Sequence, residues 1–347
     1  MLATILVTNR NWLVNEQTVG ERENKNGINR IAIATPQTRV VGVTHRRMGK
    51  NRKKKIEHTE PSYKLKFIGN PQLNLANNQD AINHLTDIVN NLDNDRPWLV
   101  FLHGNNQTLN KNLAKARKIQ DKYQVNLLVY SWPSRAYKPK FYKALIAIGK
   151  GALLGNVNWL RAGGKLIKEQ HKQYNDARRK AHITARSFVS CFEFLSKHLF
   201  QPLSEKDTKV NLLIHSLGHK VLKDSLIRSP ESFKQFKFDN VLMHQADEFA
   251  SNSPEWLAQT PIKSLSNLVI TDNFNDVVLA ASGLSNNNFN PLKINTRIGN
   301  RRRPEQGDNR FSYMHLTEID GISWLHDIAW DEDLPQDLTK QFENIIA

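Results

Sequence analysis

The chain has 347 residues, 39% of them hydrophobic, with 49 basic against 33 acidic residues and a formal net charge of +16. That length allows one large domain or two ordinary ones, and that apolar content excludes a chain disordered throughout. The lone cysteine, Cys191, excludes an intrachain disulfide and a cysteine-based zinc cluster, while the positive balance favours anionic surfaces and says nothing about fold.

At the N-terminus, MLATILVTNRNW carries too short an apolar run for a secretory signal. No apolar run reaches the roughly 18 residues of a membrane span, so the expected setting is the reducing cytoplasm. Residues 3–7, 31–35, 39–44 and 64–68 read as strands. Residues 46–55, RRMGKNRKKK, hold seven basic residues in ten, which suits a solvated loop or an anion-binding one. Ala81, Leu85, Ile88 and Leu92 then recur at helical spacing. RPWLVFLHG (96–104) is a buried strand, because its apolar run is continuous rather than alternating. Leu109, Leu113 and Ala116 mark a helix, and VNLLVYSWPS (125–134) a strand stopped by Pro133.

Residues 135–175 break the alternation. They hold FYKALIAIGKGALLGNVNWL, an apolar core edged by lysines, and a connection this long suits a lid, a binding loop or a packed helical insertion. Ala181, Ala185, Phe188, Phe192, Leu195 and Leu199 trace a long helix whose apolar face includes Cys191. Strand 210–214, a helix from about 217, strands 239–244, 266–271 and 312–318, and a helix or turn with Trp324 and Trp330 complete the chain. The pattern predicts an α/β fold with a mostly parallel, doubly wound sheet. It forms one domain over 1–347, with 135–175 as a lid-like insertion and ligands beyond the C-terminal strand ends.

VNLLIHSLGHKVL (210–222) takes a buried strand straight into Ser216 and then a helix. A nucleophile elbow places serine at such a corner, flanked by small residues that let strand and helix crowd together. Gly218 meets that need, whereas Ile214 stands where a glycine is usual. The competing reading makes Ser216 a helix cap. A serine nucleophile needs a base and donors for the developing oxyanion. FLHGNNQ (101–107) ends a strand and opens a helix, so backbone N–H groups there can face an anion. The natural oxyanion pair is the N–H of Leu217 with one near Asn105, Gly104 permitting close approach; otherwise His103-Gly104 is an ordinary turn.

The triad of such folds runs Ser, acid, His along the chain. NLVITDNFND (267–276) offers Asp272 and Asp276, and Asp247 also ends a strand; each serves equally well as a turn or cap residue. Only His315 and His326 follow Asp276. His315 lies inside the strand-like FSYMHLTEI. His326 lies in GISWLHDIAW, beyond the last strand, where a loop can carry it over Ser216, and is the preferred base. His103, His215 and His219 precede the acid and are candidates for lining the pocket. Neither H-E-x-x-H, EF-hand spacing nor a phosphate loop is present, so no metal or cofactor is expected.

A series of short motifs runs in a fixed order. These are Thr8-Asn9-Arg10; His103-Gly104 with Asn106; Ser131 to Ser134 (SWPS); Tyr174 with Asp176; His215-Ser216-Leu217-Gly218; Asp276, Leu279 and Ser282; and Arg297-Ile298-Gly299. In this series the chain resembles a bacterial α/β-hydrolase family catalogued mainly as a domain of unknown function. The likeness covers roughly 96–330 and the first dozen residues. It departs at Leu217, where the family has methionine, at Asp247 within HQAD, where the family favours APD, and in the extra length of 136–172. The resemblance implies an α/β-hydrolase fold and favours Asp276 as the acid. Gly104, Asn106, Gly218 and Asp247 join His103 and His215 around the expected pocket.

The expected activity is a serine hydrolase acting on an ester, thioester or amide. The lysine-edged apolar insertion suggests a lipid-like acyl substrate or an anionic membrane surface. The alternative is a non-catalytic binding protein on the same scaffold, whose basic surface, with Arg301-Arg302-Arg303, docks nucleic acid or an anionic partner.

Overall fold

Trp98–Leu102 and Val210–His215 are buried at every position, as strands covered on both faces must be. The computed structural model describes residues 4–16, 18–24, 26–47, 53–91, 96–134, 157–250, 253–286, 297–300, 309–317, 319 and 326–347. The strands are β1 (Thr4–Thr8), β2 (Arg10–Leu13), β3 (Thr18–Glu23), β4 (Arg30–Arg47), β5 (Lys53–Phe67) and β6 (Trp98–Leu102). They continue with β7 (Asn126–Ser131), β8 (Val210–His215), β9 (Val241–His244), β10 (Leu268–Asp272) and β11 (Ser312–His315). The main helices are α1 (Gln79–Asn91), α2 (Leu109–Tyr123), α3 (Val157–Leu195), α4 (Gly218–Arg228), α5 (Val277–Asn286) and α6 (Gln336–Ile346).

Among the described residues nine strands form one sheet in the order β11-β10-β9-β8-β6-β7-β1-β4-β5, and β2 pairs with β3 in a separate hairpin. From β11 to β1 every neighbouring pair is parallel; β4 and β5 are antiparallel. Successive strand residues alternate between faces. Trp98, Val100, Leu102, Leu212 and Ile214 join the core on one face, with Ala81 and Leu85 of α1, Phe188 and Phe192 of α3, and Val221 of α4. Leu99, Phe101 and Leu213 join the other, with Leu113 and Ile119 of α2 and Phe342 of α6. Cys191 is buried in the first core, and burial pushes its thiol pKa up, so it is a packing residue.

From β6 the chain runs outward to β7, then returns through α3 to β8 on the opposite side of β6. Such a reversal opens a crevice beyond the strand ends. Residues 103–107 and the corner at Ser216 both lie there.

Several expected elements differ in extent. Residues 31–35 and 39–44 form one strand, β4, unbroken at Pro36. In the β4–β5 register Pro36 stands opposite Tyr63. β5 begins at Lys53, well before residue 64. The last strand stops at His315, and Ile328–Trp330 form a short 3₁₀ turn. The β2–β3 hairpin and α6 were not expected from the sequence. Within 135–175, residues 157–175 are the start of α3, which no proline interrupts. Residues 135–156 lie outside the described residues, as do Leu92, Arg301 to Arg303, Trp324 and 48–52 in the centre of RRMGKNRKKK. Among the described residues no helix is long and apolar enough to cross a membrane.

Candidate active site

Ser216 sits between β8 and α4 with φ of 51°, a left-handed conformation that L-residues adopt only when their surroundings enforce it. The enforcement is visible. Ser216 N–H donates to His244 O (3.1 Å), and Ser216 O accepts from His219 N–H (3.2 Å), Asp247 N–H (3.3 Å) and the His219 ring at Nδ1 (2.7 Å). The Ser216 side chain makes no helix cap; Leu217 holds the cap position of α4. Instead its Oγ lies 2.8 Å from His326 Nε2. His326 Nδ1 lies 2.6 Å from Asp276 Oδ2. The His326 carbonyl accepts from His215 Nε2 at 2.8 Å, anchoring the backbone that carries the ring.

Asp276 is fully buried just before α5. Its Oδ1 accepts from Val278 N–H (2.9 Å) and Leu279 N–H (3.0 Å), so it caps the helix; its Oδ2 also accepts from Gln245 Nε2 (3.0 Å). Capping and facing the histidine were competing readings of this residue, and both hold. Burial opposes a charged His326. The charge and hydrogen bond of Asp276, then the charges of Asp327 and Asp247, outweigh it and raise the imidazole above its ordinary pKa.

The other two carboxylates are committed elsewhere. Asp272 Oδ1 pairs with His315 Nδ1 at 2.6 Å across the β10–β11 register. Asp247 accepts from Tyr174 OH (2.8 Å) and from the Ser282 hydroxyl, and its Oδ1 lies 3.2 Å from Arg297 Nε. That knot gathers Tyr174, Ser282 and Arg297 from three separate motifs. His315 therefore stands with Asp272, away from Ser216.

The loop that carries Asn105 approaches the corner that precedes Leu217. Gly104 lies against the elbow: a Cβ there would fall 2.7 Å from Ser216 Cβ and 2.9 Å from His215 Nδ1. At Gly218 a Cβ would fall 2.8 Å from Leu102 O and 2.9 Å from His103 O. Neither Asn105 N–H nor Leu217 N–H donates a hydrogen bond among the described residues. Asn106, at φ 57°, turns the chain away and donates to Ser134 O at 3.3 Å.

Three residues expected at a pocket wall have other tasks. His103 is buried, with Nδ1 on Gly104 O (2.7 Å) and Nε2 accepting from Trp132 N–H (3.1 Å). His215 is buried behind His326, and His219 lies under the serine's carbonyl. All three support the site from beneath. Arg10, fully buried, reaches Ser131 Oγ (3.2 Å), Gln107 O (3.1 Å) and Glu21, bracing the loop after β6. Gln245 was not anticipated: it carries no titratable group, and its φ of 47° has no sequence signal such as glycine. Among the described residues no group of three or more His, Cys, Asp or Glu is placed to hold a metal ion.

A mostly parallel sheet wound on both faces, with a serine corner at its C-terminal edge, defines the α/β-hydrolase class. A family model described as "Alpha/beta hydrolase of unknown function (DUF900)" matches residues 78–326. The chain belongs to that family. No curated protein and no solved structure matches it.

Proposed function

We propose that the protein is a serine hydrolase that cleaves an ester, thioester or amide through an acyl-enzyme. The observation that carries the reading is the unbroken chain Ser216 Oγ, His326, Asp276, at 2.8 and 2.6 Å, on a strained corner beside two uncommitted backbone N–H groups. Ser216 Oγ attacks the substrate carbonyl as His326 Nε2 takes its proton, and Asp276 stabilises the resulting imidazolium. The Leu217 and Asn105 N–H groups hold the oxyanion; each such donor contributes about 3–4 kcal/mol in comparable sites. His326 then returns the proton to the departing alcohol, thiol or amine. Water, deprotonated by His326, releases the acid and restores Ser216. A fluorophosphonate probe is expected to label the protein, and Ser216→Ala to abolish labelling. Equal labelling of the variant overturns the reading.

The substrate and partner reading rests on a second observation. Residues 46–55, RRMGKNRKKK, hold seven basic residues in ten, and the β4–β5 register brings residues 46–47 and 53–54 side by side. So dense a basic stretch favours an anionic partner. An acidic lipid surface also suits the lysine-edged apolar sequence of 141–160, and with it a lipid-like acyl substrate. Binding to phosphatidylserine vesicles is expected to fall steeply with salt. Equal binding to neutral vesicles removes this reading. A salt-sensitive affinity for DNA or RNA in place of lipid, unchanged in Ser216→Ala, favours the non-catalytic alternative.

A further inference from the structure

We propose that His103 is the positioning residue of the oxyanion cradle, holding the Gly104–Asn105 peptide so that the Asn105 N–H faces the developing charge. The proposal rests on the serine-hydrolase reading.

The Asn105 N–H and the Gly104 C=O belong to one peptide unit. A trans peptide is planar, and its N–H and C=O point in opposite directions. No cis peptide occurs among the described residues. Fixing the carbonyl therefore fixes the direction of the N–H. His103 Nδ1 lies 2.7 Å from that carbonyl oxygen. Its Nε2 accepts from Trp132 N–H at 3.1 Å, so Nε2 carries no proton and Nδ1–H is the donor.

The ring itself is held firmly. It stacks on Trp132 with centroids 5.4 Å apart and planes 10° apart, and Trp132 Nε1–H donates to His103 O at 2.8 Å. Burial, then the charges of Arg10 and Lys115, press the His103 pKa well below its ordinary value. The neutral tautomer with its proton on Nδ1 thus persists at working pH. On the far side, Ser134 Oγ accepts from Gln107 N–H (3.0 Å) and Arg10 holds Gln107 O. The loop is clamped at both ends around the Asn105 N–H, which donates no hydrogen bond among the described residues. It is also adjacent to the nucleophile, since Gly104 touches Ser216.

The amide isosteres separate positioning from packing. In His103→Asn the amide N–H occupies the place of Nδ1–H and still reaches Gly104 O. In His103→Gln the amide occupies the place of Nε2; it can accept from Trp132 N–H but leaves Gly104 O unheld. The probe is a fluorophosphonate, whose P=O oxygen takes the oxyanion position, and the readouts are kinact and KI. His103→Asn is expected to keep kinact within about threefold, while His103→Gln lowers it about 10–100-fold with KI nearly unchanged. Thermal unfolding checks that both variants are folded.

Equal kinact for His103→Gln and the parent overturns the proposal. So does equal impairment of the Asn and Gln variants, or a loss expressed in KI alone. Failure of the hydrolase reading looks different: the parent goes unlabelled, or Ser216→Ala is labelled as well.

Discussion

Asp276 holds His326 through Oδ2 while Oδ1 caps α5, so helix geometry and site geometry fix each other. His326 must be neutral to accept the serine proton, and its pKa lies above the ordinary value of 6.5. The inactivation rate with a fluorophosphonate is therefore expected to fall as pH drops through that raised value. In Asp276→Asn the charge that raises the pKa is gone while burial, which lowers it, remains. The acid limb should move to lower pH as the plateau drops by up to about 10⁴-fold; asparagine still caps α5. Asp272→Asn breaks the pair with His315 and is expected to leave both limb and plateau in place. Rate measured against pH in the two variants decides which carboxylate faces the base. A limb unmoved in Asp276→Asn, or displaced in Asp272→Asn, contradicts the arrangement. Strand ends and chain order narrowed the partners of Ser216 to Asp247, Asp272 or Asp276 and to His315 or His326, and only the family resemblance favoured Asp276, the carboxylate that faces His326. The knot of Asp247, Tyr174, Ser282 and Arg297 was legible only as scattered motifs, since nothing local says that they meet.

At the scale of elements, the elbow works because strand and helix cross without side chains between them. Ile214 occupies the place of the usual first glycine, and it packs into the core rather than beside the serine. The close approach is supplied instead by Gly104 from the neighbouring loop and by Gly218 in α4. Adding one methyl at 218 drives it against the backbone oxygens of Leu102 and His103, which have little freedom to yield. Gly218→Ala is expected to cost about 1–3 kcal/mol by overpacking and to slow labelling about 10-fold or more by shifting the corner. Ile227→Ala, on an exposed position of the same helix, is the control and should stay within about 0.5 kcal/mol. Thermal unfolding and labelling rate test both, and a Gly218→Ala variant identical to the parent refutes the crowding argument. Crowding of this kind is readable from a strand–serine–glycine sequence, as are the continuous runs of β6 and β8. The span of β4 across Pro36 was not, because a proline reads as a stop within a strand pattern. Nor was α6, although Leu338, Phe342 and Ile346 recur every four residues and all pack under the sheet.

Across the whole molecule, the floor of the site is built from histidines kept uncharged. Burial is the largest influence on each. It presses His103, His215 and His244 well below their ordinary pKa, and lowers His219 to about 4. In the unfolded chain each returns to about 6.5. Stability from these four is thus fully present above pH 6.5 and is lost as pH falls towards their depressed folded values. For His219 the loss by pH 5 is about 2 kcal/mol, since one pKa unit is about 1.4 kcal/mol. Four such groups together weigh heavily against the 5–15 kcal/mol typical of a folded domain. His326 acts in the opposite sense: its raised pKa contributes stability below about 6.5 that is lost as pH rises through its folded value. Among the described histidines His326 alone opposes them, which leaves the acid side the steeper one, with greatest stability near neutrality. The melting temperature is therefore expected to fall by several degrees between pH 7 and pH 5. His219→Gln removes one of the four titrating groups, so its melting temperature should vary less over that interval even where its value at pH 7 is lower. A melting temperature flat from pH 7 to pH 5 in the parent, or an undiminished slope in the variant, shows that these imidazoles do not govern acid stability.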